Sequence, residues 1–287
     1  MEQFVTARDE ARLCVEAFGD AADPAVLLIG GAASPMDYWE DGFCALIAAG
    51  GRYVIRYDAH DTGRSTTWPV GEPGYTFAEL RDDPIAVLDG LGIARAHVVG
   101  ISMGASIATT LATRHRDRVL TLTLATSSPG GPDLPPPSSA IQASFAEPAP
   151  PVDPSDRAAL VAKMVADLRL FAGTLPFDEE RLRALVERVV DRSDSPASAD
   201  NHWILVGGDD GEEPIDLGSI TAPTLVWHGT ADPLFPLPHG RAFAERIPNA
   251  RLVVLDGVGH EYPPPSTWDR VVTELLAHTA QVTPALP

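Results

Sequence analysis

The sequence predicts an α/β protein in which a mostly parallel, twisted sheet has helices on both faces and an inserted helical cap. Three observations lead to this fold class. Strand-like apolar runs alternate with helix-like segments in the first half of the 287 residues, which is typical of parallel sheets. A serine between two glycines stands where one run passes into a helix pattern, and an aspartate and a histidine follow later runs. Open parallel sheets gather their chemistry at such strand ends.

The alternation can be followed along the chain. Strand patterns cover residues 12–18, 25–30, 52–58, the run from residue 96 and 119–127, and helix patterns cover residues 39–49, 76–91 and the segment that opens at Met103. Pro84 lies inside the second helix pattern and predicts a kink or a late start there. Residues 12–18, together with those before them, are expected to form the antiparallel edge of the sheet.

The most informative motif is GISMG at residues 100–104, between a buried strand and a helix pattern. A nucleophilic serine must stand clear of its backbone, so the turn is expected to hold Ser102 in a strained conformation. Gly100 and Gly104 let neighbouring chain approach where a Cβ would clash. Ser102 then stands at a helix N-terminus, where free N–H groups favour negative charge. An ordinary helix-capping role is the alternative for this serine.

A serine hydroxyl needs a base, and the base needs an acid that orients it. The run at residues 222–236 is interpreted as a strand that ends in Asp232, with a proline after it. The run at residues 250–263 is another strand, whose glycine-rich exit loop carries His260. The order nucleophile, acid, base therefore predicts a triad of Ser102, Asp232 and His260.

Other residues compete for these roles, and Asp232 is also compatible with a plain turn. Asp256 lies inside the last strand pattern, four residues before His260, which gives it poor reach. The strand at residues 119–127 has no acid at its end. The remaining histidines belong to strands (His97, His228), to late helix positions (His115, His278) and to loops that could line a pocket (His60, His202, His239).

Attack on a carbonyl creates an oxyanion that needs hydrogen-bond donors. The GISMG motif supplies one of them, the backbone N–H of Met103. A second donor is expected from the loop that follows residues 25–30. Gly30 and Gly31 let this loop turn back over the site, which leaves the N–H of Ala32 as the second donor. A plain glycine turn is the alternative.

The regular alternation stops after residue 127. Residues 128–154 are dense in proline, glycine and serine, and they predict neither a long strand nor a long helix. Helix patterns follow at residues 156–172 and 178–191. These patterns predict a helical cap inserted between two strands, and a flexible surface excursion is the alternative. The predicted division is an α/β core at residues 1–127 and 220–287 and a cap at residues 128–219.

A cap above an active site excludes water and shapes the substrate pocket. The candidate pocket residues are mostly apolar: Trp39, His60, Phe145, Met164, Phe171, Phe177 and Trp203. For any single one of them, a place in the apolar core is the alternative. Together they indicate a flat or apolar substrate.

Composition narrows the classes of partner. A net charge of −19 disfavours nucleic acid and anionic membrane surfaces. The sequence has no signal-peptide pattern, no apolar stretch of membrane-spanning length, no cysteine–histidine cluster with metal spacing and no phosphate-binding glycine loop. We therefore expect a soluble cytoplasmic protein without cofactor or metal. Its expected partner, given the predicted triad, is a small-molecule ester, and its expected state is a monomer or weak homodimer.

Cysteine and lysine usage add two smaller expectations. Cys14 in a strand pattern and Cys44 in a helix pattern are expected to be buried free thiols rather than a disulfide. Lysine occurs once, at Lys163, against twenty arginines. With abundant alanine and proline, this bias favours a GC-rich bacterial genome.

Four stretches carry a resemblance to a known family. They are RYDAHDTGRST, AVLDGLGIARAHVVGISMGA, APTLVWHGTADPLFPLPHG and GVGHEYPPP, all in the predicted core. On these motifs the chain resembles the α/β-hydrolases, and within them it is similar to the aclacinomycin methylesterase group of polyketide-tailoring enzymes. The resemblance implies hydrolysis of a methyl ester on an aromatic polyketide. It also implies a triad of Ser102, Asp232 and His260, with Met103 and Ala32 as oxyanion donors.

Two other functions remain open on the same fold. A lyase or cyclase that acts on a biosynthetic intermediate would use His260 as a base and the same oxyanion pocket. A non-catalytic ligand-binding module would keep the fold without the chemistry. Dehalogenase chemistry is disfavoured because its nucleophile is an aspartate, whereas this motif carries Ser102.

Overall fold

The computed structural model describes residues 1–8, 10–148, 150, 152–206 and 215–282. Its strands are β1 (Gln3–Thr6), β2 (Arg12–Phe18), β3 (Ala25–Ile29), β4 (Tyr53–Tyr57), β5 (Ala96–Ile101), β6 (Val119–Ala125), β7 (Thr224–Gly229) and β8 (Ala250–Leu255). They form one eight-stranded sheet in the order β1-β2-β4-β3-β5-β6-β7-β8. β2 pairs antiparallel with both β1 and β4, and the pairs from β4 to β8 are parallel. The predicted mostly parallel sheet with an antiparallel edge is confirmed.

The α-helices complete the architecture. They are α1 (Asp41–Ala49), α2 (Phe77–Gly90), α3 (Met103–Arg114), α4 (Ser139–Ala146), α5 (Arg157–Phe171), α6 (Glu179–Arg192), α7 (Asn201–Val206), α8 (Pro238–Arg246) and α9 (Trp268–Thr279). α1 and α9 pack in one apolar cluster with side chains of the sheet, whereas α2, α3 and α8 contribute to a second cluster. The central strands β3, β5, β6 and β7 are buried along their whole length. Burial on both faces explains why these strands are rich in apolar residues.

The register of the sheet aligns the ends of its central strands. Ile29 pairs with Gly100, and Ile101 pairs with Ala125. Ala125 pairs in turn with Trp227. Because parallel strands share their direction, the loops that leave β3, β5, β6 and β7 start from one edge of the sheet.

Two boundaries at the N-terminal half differ from the sequence prediction. The helix predicted at residues 39–49 begins at Asp41, after a short 3₁₀ turn. The helix predicted at residues 76–91 runs unbroken through Pro84 and does not start late. Thr76 caps its N-terminus in a capping box with Glu79, which satisfies amides that the first turn leaves free.

Two further boundaries concern the acid residues. The strand expected to end in Asp232 ends at Gly229, so Asp232 lies in the turn that follows β7. Asp256 was expected inside the last strand, but β8 ends at Leu255 and Asp256 lies exposed beyond it. Turn-forming residues such as Pro233 and Gly257 end these strands earlier than the apolar pattern indicates.

The segment between β6 and β7 is largely helical among the described residues. α5 and α6 lie close to the predicted helices, and Leu160, Val161 and Val165 of α5 form an apolar cluster with Val186 and Val190 of α6. The predicted cap, residues 128–219, also includes residues 149, 151 and 207–214, which lie outside the described residues. Its boundaries therefore stay a prediction.

Helix α4 was not expected, since residues 128–154 are dense in proline and glycine. The side chain of Ser138 caps it by accepting a hydrogen bond from the N–H of Ile141. The eight residues of α4 fit between the prolines that break the remainder of the segment.

The cap is tied to the sheet domain by a partly buried ion-pair network around Arg192, the last residue of α6. Its guanidinium contacts the carboxylates of Asp58 after β4, Asp37 and Glu2. Asp58 also accepts hydrogen bonds from the backbone N–H groups of Met36 and Arg64. Breaking such a network is costly, because removal of one charged partner leaves the other buried and unpaired.

Two expectations drawn from composition can be compared with the structure. Cys14 and Cys44 are buried free thiols, as predicted, and burial raises the pKa of each to about 12. Among the helices of the described residues, none combines the length and apolar character that a bilayer crossing requires.

Candidate active site

The turn between β5 and α3 places Ser102 in an unusual backbone conformation. Its φ is 53° and its ψ −118°, a region that non-glycine residues rarely occupy. A Cβ on Gly100 would overlap the carbonyl of Gly104, and a Cβ on Gly104 would overlap the carbonyl of Gly30. Both glycines of the motif are therefore required by close backbone contacts, as expected.

The structure brings Ser102, His260 and Asp232 together. Ser102 Oγ lies 2.9 Å from His260 Nε2, and His260 Nδ1 lies 3.1 Å from Asp232 Oδ2. The Asp232 side chain is fully buried, and that of His260 is 10% exposed. A carboxylate can only accept, so Nδ1 carries the ring proton and Nε2 accepts from the serine hydroxyl. This is the geometry of a nucleophile, a base and an orienting acid.

Backbone amides of its own turn orient Asp232. Its Oδ1 accepts hydrogen bonds from the N–H groups of Leu234 at 2.9 Å and Phe235 at 2.8 Å. These two bonds leave Oδ2 to face His260. Asp256, the competing acid, is exposed and takes no part in this arrangement.

The loop that carries His260 is held by the end of cap helix α5. The N–H of His260 donates to the carbonyl of Phe171 at 2.8 Å, and the N–H of Thr174 donates to the carbonyl of Gly257 at 2.8 Å. Glu261 Oε1 accepts from the N–H of Gly173 at 3.1 Å, and it also accepts from the neighbouring loop amide at residue 259. The position of the base thus depends on contacts with the cap.

The loop after β3 lies against the nucleophile. A Cβ at Gly31 would stand 3.5 Å from Ser102 Cβ. The N–H of Gly31 donates to Tyr262 Oη at 2.9 Å, and the N–H of Ala33 donates to His202 Nδ1 at 3.0 Å. Ala32 lies between these two anchored amides. Met103, as the first residue of α3, has an N–H that the helix itself does not use.

The predicted pocket residues fall into different environments. Trp39 is 1% exposed, packs against Phe43 and Tyr262, and lines a narrow cleft with them. His60 is fully buried: its Nδ1 lies 2.8 Å from Asp83, and its ring stacks on Trp68. Neither side chain is open to solvent, and the expectation that they line a substrate pocket stays a prediction.

The cap members of that set are also dispersed. Phe145 and Trp203 are exposed on α4 and α7, at 55% and 43% of their surface. Met164 and Phe177 are partly buried against the apolar cluster between α5 and α6. Phe171, at the end of α5, packs its ring 5.8 Å from the ring of His260. Phe171 is thus the member of the set that the structure places beside the reacting groups.

Two histidines assigned to loops belong to helices. His239 lies in α8, with Nδ1 2.7 Å from Ser128 Oγ and Nε2 2.9 Å from the carbonyl of Pro135. His202 lies in α7 and reaches the loop after β3. Both are buried and hydrogen-bonded at both ring nitrogens, so neither is an open pocket wall.

Sequence reasoning missed three residues of the site. Phe235 places its ring 5.4 Å from that of His260, edge to face. Ser127, just beyond β6, donates from Oγ to the carbonyl of Ser102 at 3.0 Å. Tyr262 accepts from Gly31 as described. Phe235 and Tyr262 each follow a triad residue by two or three positions, which is the one sequence signal that could have found them.

The described residues contain no group of three or more histidine, cysteine, aspartate and glutamate side chains arranged to hold a metal ion. What the arrangement can do on its own is nucleophilic attack by a serine oxygen, proton transfer through an imidazole and stabilisation of an oxyanion by backbone amides.

Comparisons with known proteins identify the family and the fold. A family model of the α/β hydrolase fold matches residues 24–262. Rhodomycin D methylesterase DauP from Streptomyces sp. (strain C5) is 36% identical, over 96% of this chain and 97% of that protein. Rhodomycin D methylesterase DnrP from Streptomyces peucetius is 36% identical over the same shares. The esterase RhEst1 from Rhodococcus sp. ECU1013 has a TM-score of 0.76 at 21% identity, covering 98% of this chain and 99% of that one.

Proposed function

The chain belongs to the α/β-hydrolase fold family, and from that premise we propose that it is a serine esterase that cleaves a methyl ester on an aromatic polyketide. The observation that carries the proposal is the near end-to-end alignment with two rhodomycin D methylesterases at 36% identity. The hydrogen-bonded Ser102, His260 and Asp232 support a serine mechanism.

The acylation step follows from the positions of these groups. His260 Nε2 takes the proton from Ser102 Oγ as that oxygen attacks the ester carbonyl. The imidazolium that forms is stabilised by the buried carboxylate of Asp232. The N–H groups of Met103 and Ala32 donate to the oxyanion, and each such donor lowers the barrier by about 3 kcal/mol. Methanol then leaves with the proton from His260, and the acyl group stays on Ser102.

Deacylation reverses these roles. A water molecule gives a proton to His260 Nε2 and attacks the acyl carbonyl, and the same two amides bind the second oxyanion. When this intermediate collapses, Ser102 Oγ regains its proton from His260. The products are the free polyketide acid and an unchanged enzyme, so the reaction consumes one water per ester.

The partner in this proposal is a small-molecule ester. We place the enzyme in the cytoplasm, as a monomer or weak homodimer without cofactor. The two buried free thiols, Cys14 and Cys44, support a reducing compartment.

The test is hydrolysis of rhodomycin D, the substrate in the relatives' names. We expect the wild type to release methanol and the free acid, and Ser102→Ala to lose turnover by roughly 10⁴-fold or more while it still folds. Ser106→Ala, one helical turn further along α3, is the matched control and should keep wild-type turnover. Hydrolysis by Ser102→Ala at the wild-type rate would end the proposal.

A covalent intermediate separates hydrolysis from a lyase or cyclase reaction on the same fold. With an activated ester, the esterase should give a burst of alcohol equal to the enzyme concentration if deacylation is slower than acylation. Mass spectrometry of the quenched enzyme should then find the acyl group on the peptide that contains Ser102. Product formation with no water incorporated into the acid would favour the non-hydrolytic alternative.

A further inference from the structure

We infer that His202, on cap helix α7, is a positioning residue that orients the oxyanion-binding amide of Ala32. The inference rests on the proposed function, because it concerns the charge that develops on an ester oxygen during attack by Ser102. Its subject is a contact between the cap and the loop after β3 rather than a member of the triad.

Both ring nitrogens of His202 are used. The N–H of Ala33 donates to Nδ1 at 3.0 Å, and Nε2 lies 2.8 Å from the carbonyl of His60. Because a carbonyl can only accept, Nε2 carries the proton and Nδ1 presents its lone pair to the loop. Burial lowers the pKa of His202 to about 4, so the ring is neutral at pH 7. A protonated ring would have no lone pair for Ala33.

The helix that carries His202 is itself fixed to the sheet domain. The preceding residue, Asn201, donates from Nδ2 to Asp61 Oδ2 at 2.8 Å and accepts from the N–H of Gly71 at 2.7 Å. His202 is fully buried. Its partner His60 is held in turn by Asp83 at 2.8 Å. The imidazole therefore links the loop after β3 to the segment of His60, and other contacts hold both its own helix and His60 in place.

The contact with Ala33 acts on Ala32 through the peptide planes. The N–H of Ala32 belongs to the peptide unit between residues 31 and 32. The unit before it is fixed by the bond from Gly31 to Tyr262 Oη, 2.9 Å, and the unit after it by the bond from Ala33 to His202. Ser34 Oγ also donates to the carbonyl of Ala32, 3.2 Å. With both neighbours fixed, the rotation of the unit between them is fixed as well.

Ala33 adopts a φ of 54°, a left-handed conformation that favours glycine. Such a conformation persists only where its surroundings hold it. The hydrogen bond to His202 is one of these restraints. Without it we expect the loop to relax and the Ala32 N–H to turn away from the space beside Ser102.

Two substitutions separate the two ends of the imidazole. In His202→Asn, the shorter amide places an oxygen near the position of Nδ1, so the acceptor for Ala33 is kept and the bond to His60 is lost. In His202→Gln, the longer amide reaches the position of Nε2, so the donor to His60 is kept and the acceptor for Ala33 is lost. A purely structural role would make the two variants equally damaging or would favour the longer side chain.

The assay uses p-nitrophenyl butyrate with the full chain. We expect His202→Gln to lose about 30-fold in kcat with little change in KM, less than the roughly 100-fold or more that follows outright removal of an oxyanion donor. His202→Asn should stay within about threefold of wild type. Equal kcat losses in both variants, or a wild-type kcat in His202→Gln, would overturn the inference.

A second variant covers the case in which the histidine variants fail to fold. Tyr262→Phe removes the acceptor for Gly31 on the other side of Ala32 and should also lower kcat without raising KM. Tyr57→Phe is its matched control, because Tyr57 Oη is buried with no hydrogen-bond partner among the described residues. An unchanged kcat in Tyr262→Phe would contradict the proposed anchoring of the loop.

Failure of this inference can be told from failure of the proposed function. If the wild type cleaves p-nitrophenyl butyrate in a Ser102-dependent way but not rhodomycin D, the substrate proposal fails while the His202 comparison still stands. If the wild type cleaves both and the two His202 variants behave alike, the inference fails while the esterase stands.

Discussion

At the scale of single residues, the acid of the triad is oriented by its own backbone turn. Leu234 and Phe235 donate their amides to one oxygen of Asp232, so the other oxygen faces His260 Nδ1. His228 stabilises the same turn through a hydrogen bond between its Nε2 and the carbonyl of Phe235, at 2.6 Å. The direction of the carboxylate is therefore set before any substrate binds, and with it the tautomer of His260.

Asp232→Asn should disable catalysis without unfolding the turn. The amide oxygen of the asparagine can still accept from Leu234 and Phe235, so its NH₂ group faces His260 Nδ1. The imidazole must then carry its proton on Nε2, where it cannot take the proton of Ser102. We expect kcat to fall about 10⁴-fold, measured with p-nitrophenyl butyrate, at a melting temperature close to wild type.

Asp256→Asn is the control for this change, since Asp256 is exposed and four residues before His260. Its kcat should equal that of the wild type. The assignment of the acid to Asp232 would be wrong if Asp232→Asn kept kcat within tenfold of wild type, or if Asp256→Asn were the variant that lost it.

At the scale of elements, the end of α5 and the His260 loop share one tight backbone contact. A Cβ on Gly173 would overlap the carbonyl of Gly257 and stand 2.5 Å from the N–H nitrogen of Gly259. Neither atom can rotate away, because both belong to backbone. The absence of a side chain at residue 173 is what lets the cap segment hold the loop at hydrogen-bond distance.

Gly173→Ala should therefore move the His260 loop. We expect kcat to fall by about tenfold or more, because a displacement of about 1 Å between reacting groups costs up to about 100-fold. The melting temperature should also fall, as overpacked sites cost about 1–3 kcal/mol. Gly218→Ala is the control, since its Cβ would meet a side-chain oxygen of Asp216 at 3.2 Å. Wild-type kcat in Gly173→Ala would show that this contact does not position His260.

The sequence predicted those helices and strands whose apolar residues form a clear pattern. Segments rich in apolar residues identified the central strands, because burial on both faces favours that composition. The ends of elements were less accurate: β7 stops at Gly229, three residues before Asp232. α4 was missed because its eight residues lie among prolines, and a pattern that short carries little periodicity.

The site divides along similar lines. Ser102, Asp232 and His260 were predicted together because local turn chemistry and chain order mark each of them. The pocket residues carry no such local mark, since exposure and contacts arise from tertiary packing. Trp39 and His60 are buried in the core. No local sequence pattern indicates that an imidazole in one helix will accept a hydrogen bond from a distant loop, as His202 does.

At the scale of the whole molecule, the cap contacts two of the loops that form the candidate site. α5 holds the His260 loop, α7 holds the loop of Ala32, and α6 is tied to the sheet through Arg192 and Asp58. The cap is thus a part of the framework that positions the site. Variants that loosen it should affect turnover even where they lie far from the substrate.

The pH dependence of stability also belongs to the whole molecule. Burial lowers the pKa of His97 to about 3 and that of His202 to about 4, and it lowers the pKa values of His228 and His278 as well. In the unfolded chain these groups titrate near pH 6.5. The unfolded state then binds more protons, so their stabilisation is complete above about pH 6.5 and is lost as the pH falls toward the folded values.

The net charge of −19 acts in the opposite direction, because self-repulsion weakens as carboxylates take up protons toward the pI of about 4.6. Carboxyl groups in model peptides have pKa values near 4, whereas the histidine contribution starts at about pH 6.5. Between pH 7 and pH 5 we therefore expect the histidines to dominate. The free energy of unfolding should fall over this interval, by up to about 2 kcal/mol for each histidine that stays neutral when folded.

His97→Asn isolates one of these contributions. His97 is 1% exposed in β5, and its Nδ1 lies 2.9 Å from Thr121 Oγ1, a contact that an asparagine amide can keep. Because asparagine does not titrate, urea unfolding at pH 7, 6 and 5 should show a loss about 2 kcal/mol smaller than in the wild type. His115→Asn, at the end of α3, controls for the substitution itself. If His97→Asn lost as much stability as the wild type over this interval, proton uptake by buried histidines would not be the cause of the acid sensitivity.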